Sequence, residues 1–202
     1  MTQTLGHEFD DEQILARARA IHESALTLDS HVDISRSYAT PELDPGIDHP
    51  RLKCDLVKMA KGGVDAVFLA VFVGQSAKLN AESYAQAQEL ADIKFASIHR
   101  LAETMHPQRC ALAYTADDVI SIVRSGKKAI IIGMENGFPI GEDLERLPYY
   151  HGLGTRYITL CHGRHNQICD SSGPEQPLHG GLSAFGKQLV KHMNYIGIMC
   201  DA

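Results

Sequence analysis

The feature that most constrains this chain is a set of short runs dominated by β-branched and other apolar residues, each followed by a polar loop and then a helical pattern. They are Val64–Val73 (VDAVFLAVFV), Lys128–Met134 (KAIIIGM), Arg156–Cys161 (RYITLC) and the run beginning at Ile196–Cys200. A strand that lacks polar alternation has to be buried on both faces, which is the condition of a parallel sheet covered by helices. Shorter strand candidates lie at Leu26–Leu28 and Cys110–Tyr114. Between the runs, helical patterns occupy 11–25, 55–61, 80–104, 117–125, 142–151 and 182–195. The first of these places Ile14, Leu15, Ala18, Ile21 and Ala25 on one stripe. Residues 35–50 and 163–181 read as long loops rich in Pro, Gly and polar residues.

Regular βα alternation predicts an α/β fold with crossover helices. Long loops after strand ends and short connections before strand starts match a (β/α)8 TIM-like barrel, with a doubly wound open sheet as the competing architecture. About the first five main strands are visible in 202 residues, whereas a complete barrel takes roughly 250 residues. The expectation is a single domain over 1–202 forming the N-terminal portion of a larger barrel.

Composition narrows the function. With 19 Lys+Arg against 25 Asp+Glu the formal charge is −6, and the sequence has no basic blocks, no Trp and 6% aromatics. Neither a phosphate-binding surface nor a base-stacking platform is expected, so nucleic acid is not the predicted partner. No run reaches the roughly 18 apolar residues of a membrane span. Met1–Asp11 lacks a basic and apolar leader pattern, which sets a cytoplasmic expectation. Cys54, Cys110, Cys161, Cys169 and Cys200 are odd in number and contain no C-x-x-C pair. They are read as small buried hydrophobes.

Three polar groups follow apolar runs. In LDSHVD, His31 and Asp33 stand at i and i+2, which in extended backbone puts both on one face about 6–7 Å apart. A metal-ligand pair and a capping Asp beside a loop His both fit that spacing. Glu135 closes a strand that should be buried, so it needs a partner, either a Lys or Arg or a metal ion. In TLCHGRHNQICD, His162 reads as a single active-site imidazole and His165 as a solvent-exposed loop residue. Cys161 and His162 are adjacent and point to opposite faces, which argues against a zinc cluster. The segment Gly181-Leu-Ser-Ala-Phe-Gly186-Lys187-Gln188 falls one residue short of a phosphate-binding loop and follows no buried strand. His31, Asp33, Glu135 and His162 would share the C-terminal rim of a barrel, the catalytic face of that architecture. Residues alone therefore suggest a metal-assisted hydrolase.

These segments also resemble a known family, the membrane (renal) dipeptidases, zinc dipeptidases with an amidohydrolase-like barrel. LDSHVD resembles the family's D-x-H-x-D segment, IIGMENG its I-G-x-E-G segment, and LGTRYITLCHGRHNQICDSS its L-G-x-R-Y-x-T-L-T-H-x-x-x-N-x-x-A-D-S segment. GGVDAVFLAVFV resembles G-G-V-x-x-Q-F-W-S without the Gln and Trp, and GLSAFGKQLVKHMNYIGIMCD resembles the segment that follows. The resemblance runs from about residue 26 to the end. It implies that His31 and Asp33 bind one zinc, that Glu135 bridges it to a second, and that His162 contacts the substrate carbonyl oxygen. Hydroxide between the two ions would then attack a dipeptide, in some members one with a C-terminal D-residue. The family's further metal histidines, a substrate-binding Arg and a proton-shuttling Asp fall beyond the matched region. This chain alone is therefore expected to show little activity. Cys161 stands where the family has Thr, and Gln167-Ile168-Cys169 replaces a stretch that often contains Trp. The changes around Cys161 and Ile168 keep lactone or amide hydrolysis as an alternative, and an exposed half-barrel edge of apolar strands keeps a non-enzymatic truncated paralogue as another. A homodimer is the assembly to look for.

Overall fold

A computed structural model describes residues 11–202, so most of the leader stretch considered above, residues 1–10, lies outside the described residues. The apolar runs become one parallel sheet. Its strands are β1 (Leu28–Asp33), β2 (Ala66–Phe72), β3 (Cys110–Leu112), β4 (Lys128–Glu135), β5 (Thr155–Thr159) and β6 (Met199–Asp201). The helices are α1 (Asp11–Ser24), α2 (Leu56–Gly62), α3 (Ala81–Arg100), α4 (Ala116–Arg124), α5 (Arg146–Gly152) and α6 (Ala184–Ile196). No helix among the described residues is long and apolar enough to cross a membrane.

The strand order is β1-β2-β4-β5-β6, every pair parallel. β2 occupies one edge of β4 from Ala129 to Glu135. β3 therefore takes the other edge at Lys128–Ile130, and β5 takes over that edge from Ile132. Cys110–Tyr114 thus contributes a three-residue strand tucked under β5 instead of a full stave of its own.

Side-chain parity then divides the sheet into two faces. Val67, Leu69 and Val71 of β2, Ile130, Ile132 and Met134 of β4, and Ile158 of β5 enter the main core beneath the helices. There Phe95 of α3 stacks on Tyr150 of α5, centroids 5.5 Å apart. The opposite, inner face carries Ala66 and Phe68 of β2 and Ala129 and Ile131 of β4. Gly133, Glu135 and Tyr157 continue that face toward the C-terminal ends of the strands.

Local chemistry sets the helix boundaries. Asp55 caps α2 by accepting from the Val57 and Lys58 amides, Asn80 caps α3, and Thr115 with Asp118 forms a capping box on α4. The pattern at 142–151 yields a helix only from Arg146, because turns take up the residues before it. The stripe on α1 does not build core. No α1 residue is buried, and Ile14, Leu15 and Ile21 are all at least half exposed. The phosphate-loop near miss has a packing explanation. Ser183 caps α6, and a Cβ at Gly186 would sit 2.1 Å from the Ile168 carbonyl oxygen, so close helix–loop contact requires glycine. The cysteine expectation holds only in part: Cys110 and Cys169 are buried, Cys54 and Cys161 half-buried, and Cys200 is exposed because it lies on the outer strand β6.

Candidate metal centre

Two β-bulges interrupt the sheet, one in β1 beside the C-terminal rim and one at the start of β5. Between Asp29 and Val32, β1 spends one more residue than β2, and between Thr155 and Tyr157, β5 spends one more than β4. A bulge bends its strand and re-aims the side chains beside it. In β1 the result is convergence: His31 Nε2 lies 3.7 Å from Asp33 Oδ1 and 3.1 Å from Glu135 Oε2. The pair read from the sequence at i, i+2 therefore converges, although the bulge between Asp29 and Val32 takes in His31 itself.

Glu135 sits at the centre of the group. Its side chain is 13% exposed, against 41% for His31 and 74% for Asp33. Its other oxygen, Oε1, is 3.2 Å from His162 Nε2. The His162 ring is held against Phe72, centroids 4.9 Å apart, with one edge open to solvent. The partner that a buried carboxylate requires is thus a pair of imidazoles. All four residues singled out in the sequence meet at one rim.

Ligand atoms of His31, Asp33 and Glu135 fall within 4.8 Å of one another, and among the described residues they form the cluster of metal-ligand type. One imidazole nitrogen and two carboxylates suit zinc and similar divalent ions. The donor set fits a cation, because two carboxylates converge on a single imidazole and the charge they bring is best balanced by an ion between them.

Several supporting residues were not singled out from the sequence. Lys94 on α3 donates to the Ile34 carbonyl at 2.7 Å, one residue past Asp33. Burial lowers its pKa, while the charges of Asp33 and Glu135 act in the opposite direction. Tyr157 reaches His31 Nδ1 at 3.2 Å. Burial, followed by the charges of Glu135, Asp201 and Asp33, pushes its hydroxyl up to about 12, so it stays protonated at neutral pH. Asn136 follows Glu135 in a left-handed conformation (φ 70°) and donates to the Val73 carbonyl. Its Oδ1 accepts from the fully buried Asn166, which also donates to Leu160 and accepts from the Ile168 and Cys169 amides. This amide pair ties the loop after β4 to the loop after β5. The Asn in each motif was a visible signal, although its partner was not.

His165 departs from its expected exposure. Its side chain is 13% exposed, Nδ1 accepts from the Ser171 amide, and Nε2 meets the Gln176 carbonyl. The loop folds back on itself, so this imidazole organises the turn. Nor do Cys161 and Cys169 join it in a metal cluster: Cys161 Sγ contacts the Asp170 carbonyl at 3.3 Å.

The described residues form a partial β/α barrel that gathers an imidazole and two carboxylates at the C-terminal rim, the catalytic face of that architecture. The chain belongs to the membrane dipeptidase family (peptidase family M19), whose profile matches residues 15–202. Among its relatives is dipeptidase tcpJ of Claviceps purpurea, 35% identical over 151 residues, a stretch covering 73% of this chain and 35% of that protein. Among solved structures, the probable dipeptidase PvdM from Pseudomonas aeruginosa superposes with a TM-score of 0.87 at 27% identity, covering 95% of this chain and 50% of that one. Dipeptidase AC, a metallopeptidase of family M19, gives 0.71 at 25% identity over 87% of this chain and 55% of its own. The chain thus spans about a third of the curated relative's length and about half of each solved chain. The resemblance read from the motifs and the barrel architecture are both borne out.

Proposed function

We propose that this chain supplies the first-metal rim of a dipeptidase and forms, as one domain, the N-terminal portion of its (β/α)8 barrel. The observation that carries the reading is Glu135, a mostly buried carboxylate held between His31 at 3.1 Å and His162 at 3.2 Å. His31, Asp33 and Glu135 would hold a zinc ion, and Glu135 would be shared with a second ion in the whole protein. When bound, such ions supply Lewis acidity that polarises a carbonyl and acidifies water.

The remaining tasks fall to side chains of this chain. His162, half-exposed and packed on Phe72, stands at the mouth of the site with Nε2 beside Glu135 Oε1; turned from that oxygen, Nε2 would donate to a carbonyl oxygen and stabilise charge developing there. A cavity of about 230 Å³ lined by Phe72, Gln75, Asn136, His162 and Arg164 adjoins that nitrogen. A second, of about 690 Å³, reaches from His31 and Asp33 to Arg51 and Lys53. Space beside His162 and beside His31 suits a small two-residue substrate. Arg51, Lys53 and Arg164 at the margins suit its free carboxylate. The names of the relatives support dipeptides as the substrate class, and the resemblance to the membrane dipeptidases extends the test to a C-terminal D-residue.

The test is hydrolysis of a panel of L,L- and L,D-dipeptides by the whole protein, before and after chelation. Cleavage that disappears with chelator, returns with zinc and is abolished by Glu135→Gln is the expected result. Full metal loading with no dipeptide cleaved would overturn the reading.

A further inference from the structure

Tyr157 lies across the inner face of the sheet, although strand sequence alone gives it no reason to. The extra residue in β5, Arg156, turns away and donates to the carbonyls of Tyr114 and His151. Tyr157 is thereby brought opposite Gly133. A Cβ at Gly133 would come within 2.1 Å of the Tyr157 ring carbon Cζ, so the ring occupies the space a side chain would fill. Phe68 closes the other side, with ring centroids 5.2 Å apart. β5 and β1 are separated by β2 and β4, about 14 Å across a flat sheet. The contact between Tyr157 and His31 shows that the sheet is rolled enough to bring these strands face to face.

We propose that Tyr157 is a positioning residue for the metal site, setting the orientation and tautomer of His31 through the contact between its hydroxyl and Nδ1. The inference rests on His31 being a metal ligand. For Nε2 to offer its lone pair to a cation, Nδ1 has to carry the proton and needs an acceptor, which the tyrosine oxygen supplies. In the arrangement seen here, Nε2 faces the Glu135 carboxylate at 3.1 Å, where a proton on Nε2 is favoured. The same hydroxyl can then donate to Nδ1. A phenol serves both states of the imidazole, whereas a backbone carbonyl or carboxylate, which only accepts, serves one. Gly133 belongs to the device because no other residue leaves room for the ring.

The experiment is Co²⁺ titration of the full chain as wild type, Tyr157→Phe and His31→Ala, read by visible absorption, with melting temperatures recorded alongside. Tyr157→Phe keeps the ring on Gly133 and Phe68, so its melting temperature should match wild type. Its Co²⁺ affinity should fall on the order of tenfold, within the range seen for such outer partners, and its absorption bands should change. As a readout on the unaltered protein, long-range ¹H–¹⁵N spectra of the zinc-loaded chain should show His31 protonated at Nδ1, with slow solvent exchange. Wild-type affinity and spectrum in Tyr157→Phe, with binding lost in His31→Ala, would overturn the role of Tyr157 and leave the metal reading standing. So would an unprotonated Nδ1. A wild-type chain that takes up no cobalt would overturn both.

Discussion

The inner face of the sheet has two ends built on opposite principles. At its N-terminal end Leu28, Phe68, Ala113, Ile131 and Met199 surround an apolar cavity of about 560 Å³. At its C-terminal end stand His31 and Asp33 of β1, Glu135 of β4 and His162 from the loop after β5. Between them Gly133 and Tyr157 form the boundary. In the floor Ala113 and Ile131 are buried and contribute stability, whereas Leu28 and Met199 at its edges are about half exposed. The rim keeps carboxylates close together and is held by hydrogen bonds between loops, so its groups cost stability and contribute chemistry. Ile131 and Glu135 are four residues apart on β4, about 13 Å, far enough for substitutions at the two ends to act independently.

The sharpest way to break this comparison is at Glu135. Glu135→Gln removes the carboxylate proposed to be the shared ligand and should weaken divalent-metal binding by more than the roughly 100-fold that outer partners reach. Its melting temperature should stay at or above wild type, because a charge near Asp33 has been removed. Calorimetric titration and thermal unfolding of one sample measure both. A large loss of stability would show that the rim is structural.

Ile131→Ala is the converse. Ile131 is 4% exposed, and truncating a buried Ile to Ala costs about 2–5 kcal/mol. The lower end is expected because a cavity already adjoins it. Denaturant unfolding should report that loss, while metal affinity stays within about twofold of wild type, as distant sites act nearly additively. A parallel fall in affinity would dissolve the distinction between floor and rim.

The smallest effect concerns the loop after β5. Burial alone would raise the Asp170 carboxyl, but the Gly181, Leu178 and His179 amides and the nearby His165 hold it at about 2. A folded pKa below the unfolded one contributes stability that is present above about 3.9 and is lost as pH falls toward 2. Amide exchange at Leu178, His179 and Gly181 should therefore be protected at pH 5 and progressively released below pH 4. Asp170→Asn should remove that pH dependence.

What the sequence made legible follows the same division. β2 and β4 could be read directly because burial on both faces leaves uninterrupted apolar runs. His31, Asp33, Glu135 and His162 could be read because polar residues placed just after such runs fall on one rim in a parallel sheet. The edge that β3 shares with β5 was not legible, since a three-residue strand carries no periodicity. Tyr157 was not legible as a partner of His31, because a bulge at Arg156 sets its direction and 126 residues separate the two. His165 looked like a loop residue in solvent because its partners, Ser171 and Gln176, meet it only when the loop folds back. The α1 stripe shows the reverse case: its periodicity is correct, yet nothing among the described residues covers it.

The central claim is that His31, Asp33 and Glu135 share one cation. Crystals of the protein grown with zinc, with anomalous diffraction data collected on either side of the zinc absorption edge, test it most directly. An edge-dependent peak is expected at bonding distance from His31 Nε2 and from carboxylate oxygens of Asp33 and Glu135. A zinc-loaded crystal with no peak among those three side chains would contradict it.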